Sequence, residues 1–170
     1  MTDSIQANTK AALVITRQFD APKDVVFDAF ANAEAIAAWW GPADHPTTVI
    51  TFDFTPGGLF HYKMEANGQT MYGRFIYGKI EKPDLLEFTN SFSDEHAAIT
   101  RAPFSATWPL EIFNRLSFTE ENGKTTITMS GYPVNATEEE NTMFTVAQAN
   151  LKQGFEGTFN QLDKYLKSSK

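Results

Sequence analysis

Two Asn-Gly pairs, Asn67-Gly68 and Asn122-Gly123, interrupt the strand-like stretch from Thr47 to Pro133, and each fixes a hairpin register. Asn-Gly suits the central positions of a type I′ turn, where both residues need φ > 0, so pairing can be counted outward from it. From the first turn, Met64 faces Met71, Tyr62 faces Gly73 and Phe60 faces Phe75. The other side then carries Lys63 with Tyr72 and His61 with Arg74. From the second turn, Phe118 faces Ile127, Leu116 faces Met129 and Asn114 faces Gly131. Each hairpin sorts into one apolar face and one mixed face, as a half-buried sheet requires. Leu85 to Phe92 adds a strand with Leu86 and Phe88 on one side, and Ala11 to Phe19 an earlier one.

Helices flank this stretch. Pro22 suits a first helical position with Asp24 in the first turn, and Val26, Phe27 and Phe30 form the apolar side. Asn32 can cap a second short helix that runs through Trp39 and stops at Gly41-Pro42. Near the C-terminus, Thr137 followed three residues later by Glu140 is a capping box. Phe144, Ala147, Leu151, Phe155, Phe159, Leu162 and Leu166 then recur at spacings of three and four, which predicts one amphipathic helix over 138–166. A strand, two short helices, a run of antiparallel strands and a long helix make an α+β domain whose curved sheet wraps the final helix.

Composition narrows the function. The 170 residues carry a formal charge of −7 and no Lys/Arg cluster, so a nucleic acid or an anionic membrane is not an expected partner. Cysteine is absent, which excludes disulfides, thiolate chemistry and Cys-ligated metals. Met1 to Lys10 is polar, lacks an apolar signal core and reads as a flexible tail. The longest apolar run, Ala35 to Trp40, falls far short of the ~20 residues a bilayer requires. The expectation is a cytoplasmic protein with one domain over 11–166 and a short tail at 167–170.

Several segments together resemble the START-like or Bet v 1-like (SRPBCC) superfamily, in its Hsp90-ATPase-activator-homologue (AHSA1-like) branch. They are Arg17-Gln18-Phe19-Asp20-Ala21-Pro22 with Val25-Val26-Phe27, Trp39-Trp40-Gly41-Pro42, Pro56-Gly57-Gly58, Gly73, Pro83 before Leu85-Leu86, and the region of Gly154. Phe155 stands where many members have Trp, and the segment from Phe92 to Trp108 is longer than in the shortest members. The resemblance implies a helix-grip fold: about seven antiparallel strands curled around the C-terminal helix, two short helices closing one end, and often a hydrophobic cavity between. It also implies three kinds of role: a binder of lipids, steroids or polyketides, a polyketide cyclase or aromatase, or a chaperone module. The Hsp90 co-chaperone carries an additional N-terminal domain, for which 170 residues leave no room.

The residues themselves favour the binder. No nucleophile motif occurs, and His45, His61 and His96 lack metal-ligand spacing, so neither a metal nor another cofactor is expected. Glu87 and Glu111, candidate acids for a cyclase, fall opposite the apolar face. The predicted cavity is lined by Trp40, Phe60, Tyr62, Met64, Phe75 and Tyr77, with Phe88, Asn114, Gln148, Leu151 and Phe155 completing it. Asn114 beside Gly131 and Tyr62 beside Gly73 suggest polar groups with empty space next to them, and Gln148 interrupts the helix stripe. Bonds to backbone or buried water are the plainer account of the two amides. Phe92, Arg101, Phe104 and Trp108 lie in a segment too long for a bare turn, which reads as a cover with Arg101 available to an anionic ligand group. The expected partner is a small hydrophobic or aromatic molecule; oligomeric state is not legible.

Overall fold

The computed structural model describes residues 12–41, 47–66 and 68–168. The N-terminal tail, Asn67, Pro42 and His45 lie outside these residues. Seven antiparallel strands form one sheet in the order β1-β7-β6-β5-β4-β3-β2. They are β1 (Leu13–Phe19), β2 (Thr47–Phe52), β3 (Leu59–Ala66), β4 (Gln69–Glu81), β5 (Leu85–Ser93), β6 (Ile112–Glu121) and β7 (Lys124–Pro133). Four helices complete the fold: α1 (Lys23–Ala31), α2 (Ala33–Trp39), α3 (Glu138–Val146) and α4 (Gln148–Ser168). Among the described residues no helix is long and apolar enough to cross a membrane.

Both hairpins hold the registers counted from their turns. Tyr62 pairs with Gly73 and Met64 with Met71; Asn114 pairs with Gly131 and Leu116 with Met129. Asn122 and Gly123 both have positive φ, 57° and 77°, as a type I′ turn demands. The inner face is closed by α1 and α2, and the Phe27 and Phe30 rings of α1 meet Phe118 edge-on at 5.2 and 5.6 Å. Asn32 caps α2 by accepting from the Ala35 N–H at 2.8 Å. Lower down, α4 buries Phe159, Leu162 and Leu166 against the sheet. Pro22 sits one position earlier than expected: it is the extended residue before α1, whose first helical residue is Lys23.

The predicted single helix over 138–166 is two helices, and α4 continues to Ser168. Ala147, at φ −84° and ψ −2°, departs from helical geometry for one residue. The chain barely breaks there, because the Ala147 N–H still reaches Met143 O at 3.0 Å and the Leu151 N–H reaches Ala147 O at 2.9 Å. Packing accounts for the bend. Phe144 of α3 belongs to a small cluster with Leu13, Ala102, Trp108 and Ile112, whereas Phe159, Leu162 and Leu166 of α4 join the main core. Each helix follows its own partner, and tertiary contacts override a continuous propensity.

Candidate functional site

A hollow of about 240 Å³ opens between the sheet and the first turns of α4. Trp40, Tyr62, Met64, Phe92, Leu151 and Phe155 supply its apolar wall. Asn90, Asn150 and Thr158 add polar groups, and Gly41, Gly73 and Gly154 leave parts of the wall without side chains. Five residues of the predicted lining therefore meet here, joined by Phe92 of the predicted cover. The strands place Tyr62, Gly73 and Phe92 in one cross-strand row, and α4 sets Asn150, Gly154 and Thr158 one turn apart beside them.

The other predicted residues lie elsewhere. Phe60, Phe75, Tyr77 and Phe88 are core, 0–3% exposed, with Phe75 stacked on Phe88 at 4.1 Å. Burial raises the pKa of the Tyr77 phenol, whose hydroxyl has no hydrogen-bond partner among the described residues. Gln148 points toward the N-terminal strand, where its Nε2 donates to Ala12 O at 3.3 Å. The empty space expected beside the two glycines is already filled. A Cβ at Gly73 would lie 2.5 Å from the Tyr62 hydroxyl, and one at Gly131 would lie 2.8 Å from Asn114 Oδ1. The large partner simply folds across the missing side chain.

The segment after β5 forms the small second cluster with α3. Trp108 is buried against Phe144, and Phe104, itself 65% exposed, bridges Phe92 and Trp108 at 5.6 Å from each. Arg101 is not available to a ligand anion: its guanidinium is paired with Glu140 and also donates to Trp108 O. The Arg101 charge, with the Thr137 N–H, holds the Glu140 carboxyl below the usual carboxylate range. On the outer face, His61 is buried with its Nε2 3.1 Å from Asp94 O, Arg74 donates to Ala97 O at 2.9 Å, and Glu87 pairs with Arg115. Among the described residues no group of three or more His, Asp or Glu is placed to hold a metal ion.

Electrostatically the hollow is built around a neutral phenol. Burial pushes the Tyr62 hydroxyl up to about 12, opposed in part by the nearby Trp40 indole. Sequence reasoning missed Asn90, Asn150, Gly154 and Thr158. Asn90 carried the same signal as Asn114: it follows Leu86 and Phe88 in an alternating run and precedes Phe92.

A curved sheet gripping a long terminal helix, with an apolar hollow between them, defines a helix-grip protein of the SRPBCC (Bet v 1-like) kind. The chain belongs to the family described as Activator of Hsp90 ATPase homolog 1-like protein, whose model matches residues 20–167. Among solved structures it is similar to a protein from Arthrobacter aurescens (26% identity over 95% of this chain and 89% of that one, TM-score 0.79). It is also similar to a protein from Mycobacterium smegmatis (25% identity over 94% and 93%, TM-score 0.77). The fold recurs in DynU16, from the dynemicin biosynthetic locus, at 19% identity over 94% of this chain and 48% of that one, with a TM-score of 0.66. No protein of curated function matches the chain.

Proposed function

We propose that the protein binds a small, mostly apolar aromatic molecule in the hollow between β3–β5 and α4. The observation that supports this is the wall itself. Trp40, Tyr62, Phe92, Phe155, Met64 and Leu151 converge on unfilled space, with a few amide and hydroxyl groups at its margin, which is the ordinary make-up of a small-molecule site. A cavity of about 150 Å³ holds a benzene, so 240 Å³ has room for a two-ring compound.

Thermal melting with two-ring probes, tetralin and 1-tetralone, tests the reading. A ligand at about 100 times its Kd stabilises by roughly 2.7 kcal/mol, a rise on the order of 5–10 °C for a chain of this size. Gly154→Leu, which puts a side chain where nothing lies within 4 Å of the Cβ position, should abolish the rise. No rise with either probe would refute the proposal. A cyclase-like reading draws on the likeness to DynU16, which is one of fold. It places proton transfer on Tyr62, because Glu87 is engaged with Arg115 on the other face. A chaperone-module role follows from the family's name alone; the hollow favours the small molecule.

A further inference from the structure

The polar groups in the hollow have their roles fixed by neighbours that cannot change theirs. Asn114 Nδ2 lies 3.1 Å from the backbone oxygen of Ile112, and a carbonyl only accepts, so this end of the amide is the donor. The same nitrogen reaches Asn90 Oδ1 at 2.7 Å. Asn90 therefore accepts from Asn114, and its own Nδ2 is turned away. Gly131 makes this possible, since a Cβ there would collide with Asn114 Oδ1. Asn90 is a wall residue of the hollow, and its Nδ2 has no partner among the described residues.

Tyr62 is constrained in the same sense. Its ring lies across Gly73, so the hydroxyl reaches over β4 toward β5, the strand that carries Asn90. The Trp40 ring stands edge-on to that of Tyr62 at 6.5 Å, and the phenol, which ordinarily holds its proton at neutral pH, holds it more firmly still through burial. The proton is left to donate.

We propose that Asn90 Nδ2 and the Tyr62 hydroxyl form a two-donor subsite that selects an aromatic ligand bearing an uncharged acceptor oxygen, a ketone or related carbonyl. This rests on the binding reading above. Asn114 is its positioning residue: it touches no ligand but dictates which end of Asn90 faces the hollow.

Calorimetric titration with tetralin and 1-tetralone, which differ by one carbonyl, tests the proposal. The wild type should bind tetralone about tenfold more tightly, against the order of their hydrophobicity. Asn90→Leu and Tyr62→Phe should each bring the ratio of tetralone to tetralin affinity most of the way to one. Asn114→Ala should also lower the tetralone-to-tetralin ratio, which a purely structural loss would not change. Asn90→Asp is isosteric and still accepts from Asn114, but offers no donor. It should lose the tetralone preference and gain affinity for 1-aminotetralin. If neither tetralin nor tetralone binds, the binding reading itself fails. If the wild type binds tetralin as well as tetralone, or Asn90→Asp keeps the ketone preference, the two-donor subsite is overturned and the binding reading stands.

Discussion

Gly131→Ala isolates the polar ladder that crosses the sheet. A methyl group at this position would stand 2.8 Å from Asn114 Oδ1, well inside the roughly 3.5–4.0 Å of ordinary non-bonded contact. The neighbouring backbone is not in the way, since Phe113 O would be 3.6 Å off. Only the Asn114 amide has to move, and it is held by Ile112 O and Asn90 Oδ1 in a site where Asn114 is 5% exposed. Turning it leaves a buried amide short of partners, at a cost of about 1–3 kcal/mol. Replacing a strand glycine returns about 0.5–1 kcal/mol of backbone entropy. The net expectation is a loss of about 1–2 kcal/mol, from the difference of those two effects, and a Tm lower by roughly 2–8 °C. Urea unfolding with an unchanged m-value gives the free energy, and calorimetry gives the Tm. Combining the change with Asn114→Ala removes the collision, so the double variant should be more stable than the sum of the singles by about 1 kcal/mol. A neutral Gly131→Ala, or strict additivity, would show that Asn114 is not locked by its neighbours.

Three further outcomes are expected. Gly154→Ala should raise stability by about 0.8–1.0 kcal/mol, because the residue is inside α4 and nothing lies near its Cβ position; destabilisation in urea would contradict that open space. Glu140→Gln should cost about 1–2 kcal/mol at neutral pH, a figure discounted for the half-exposed Arg101. Because the folded state depresses the Glu140 pKa, this contribution is complete above the ordinary carboxylate range and lost as pH falls through the folded value. Wild type and variant should thus converge in acid, and parallel stability–pH curves would refute the assignment. Trp39→Phe should cost about 2–3 kcal/mol, since Trp39 is buried and its indole donates to Ala29 O at 2.9 Å. Trp40→Phe, on the wall of the hollow, should cost less stability and more affinity; equal melting losses would blur that division.

Much of the sheet was legible because period-two alternation and a two-residue turn leave no freedom of register: Met64 opposite Met71 and Leu116 opposite Met129 follow by counting. The bend at Ala147 was not legible. One residue at ψ −2° leaves the three-and-four spacing from Phe144 through Leu151 to Phe155 intact, so the apolar stripe looks the same whether the helix is straight or bent. The predicted lining reaches deeper than the hollow does. Alternation sends Phe60, Phe75, Tyr77 and Phe88 to the inner face, but it cannot tell a residue that packs solidly from one that borders a void. A glycine in a strand marks close approach by something, and here Tyr62 and Asn114 are what approach. Arg101 looked unpaired in its own segment because its partner, Glu140, lies 39 residues later in what read simply as a helix start.

The place of β1 in the sheet governs the order in which this protein can assemble. The strand with the lowest sequence numbers hydrogen-bonds to the one formed last, Leu13 with Gly131 through to Phe19 with Thr125, and Thr125 also donates to Ala21 O, 104 residues before it. The neighbouring pairs from β2 to β5 need only local loop closure, as does the β6–β7 hairpin, so they can form while β1 has nothing to bind. Non-local pairing of this kind is slow, because the chain entropy is surrendered before any contact rewards it. During synthesis on the ribosome, β1 and its exposed backbone donors wait until β7 has emerged. Mutations in β1 should therefore act mainly on the unfolding rate, and those in the β6–β7 hairpin on the folding rate.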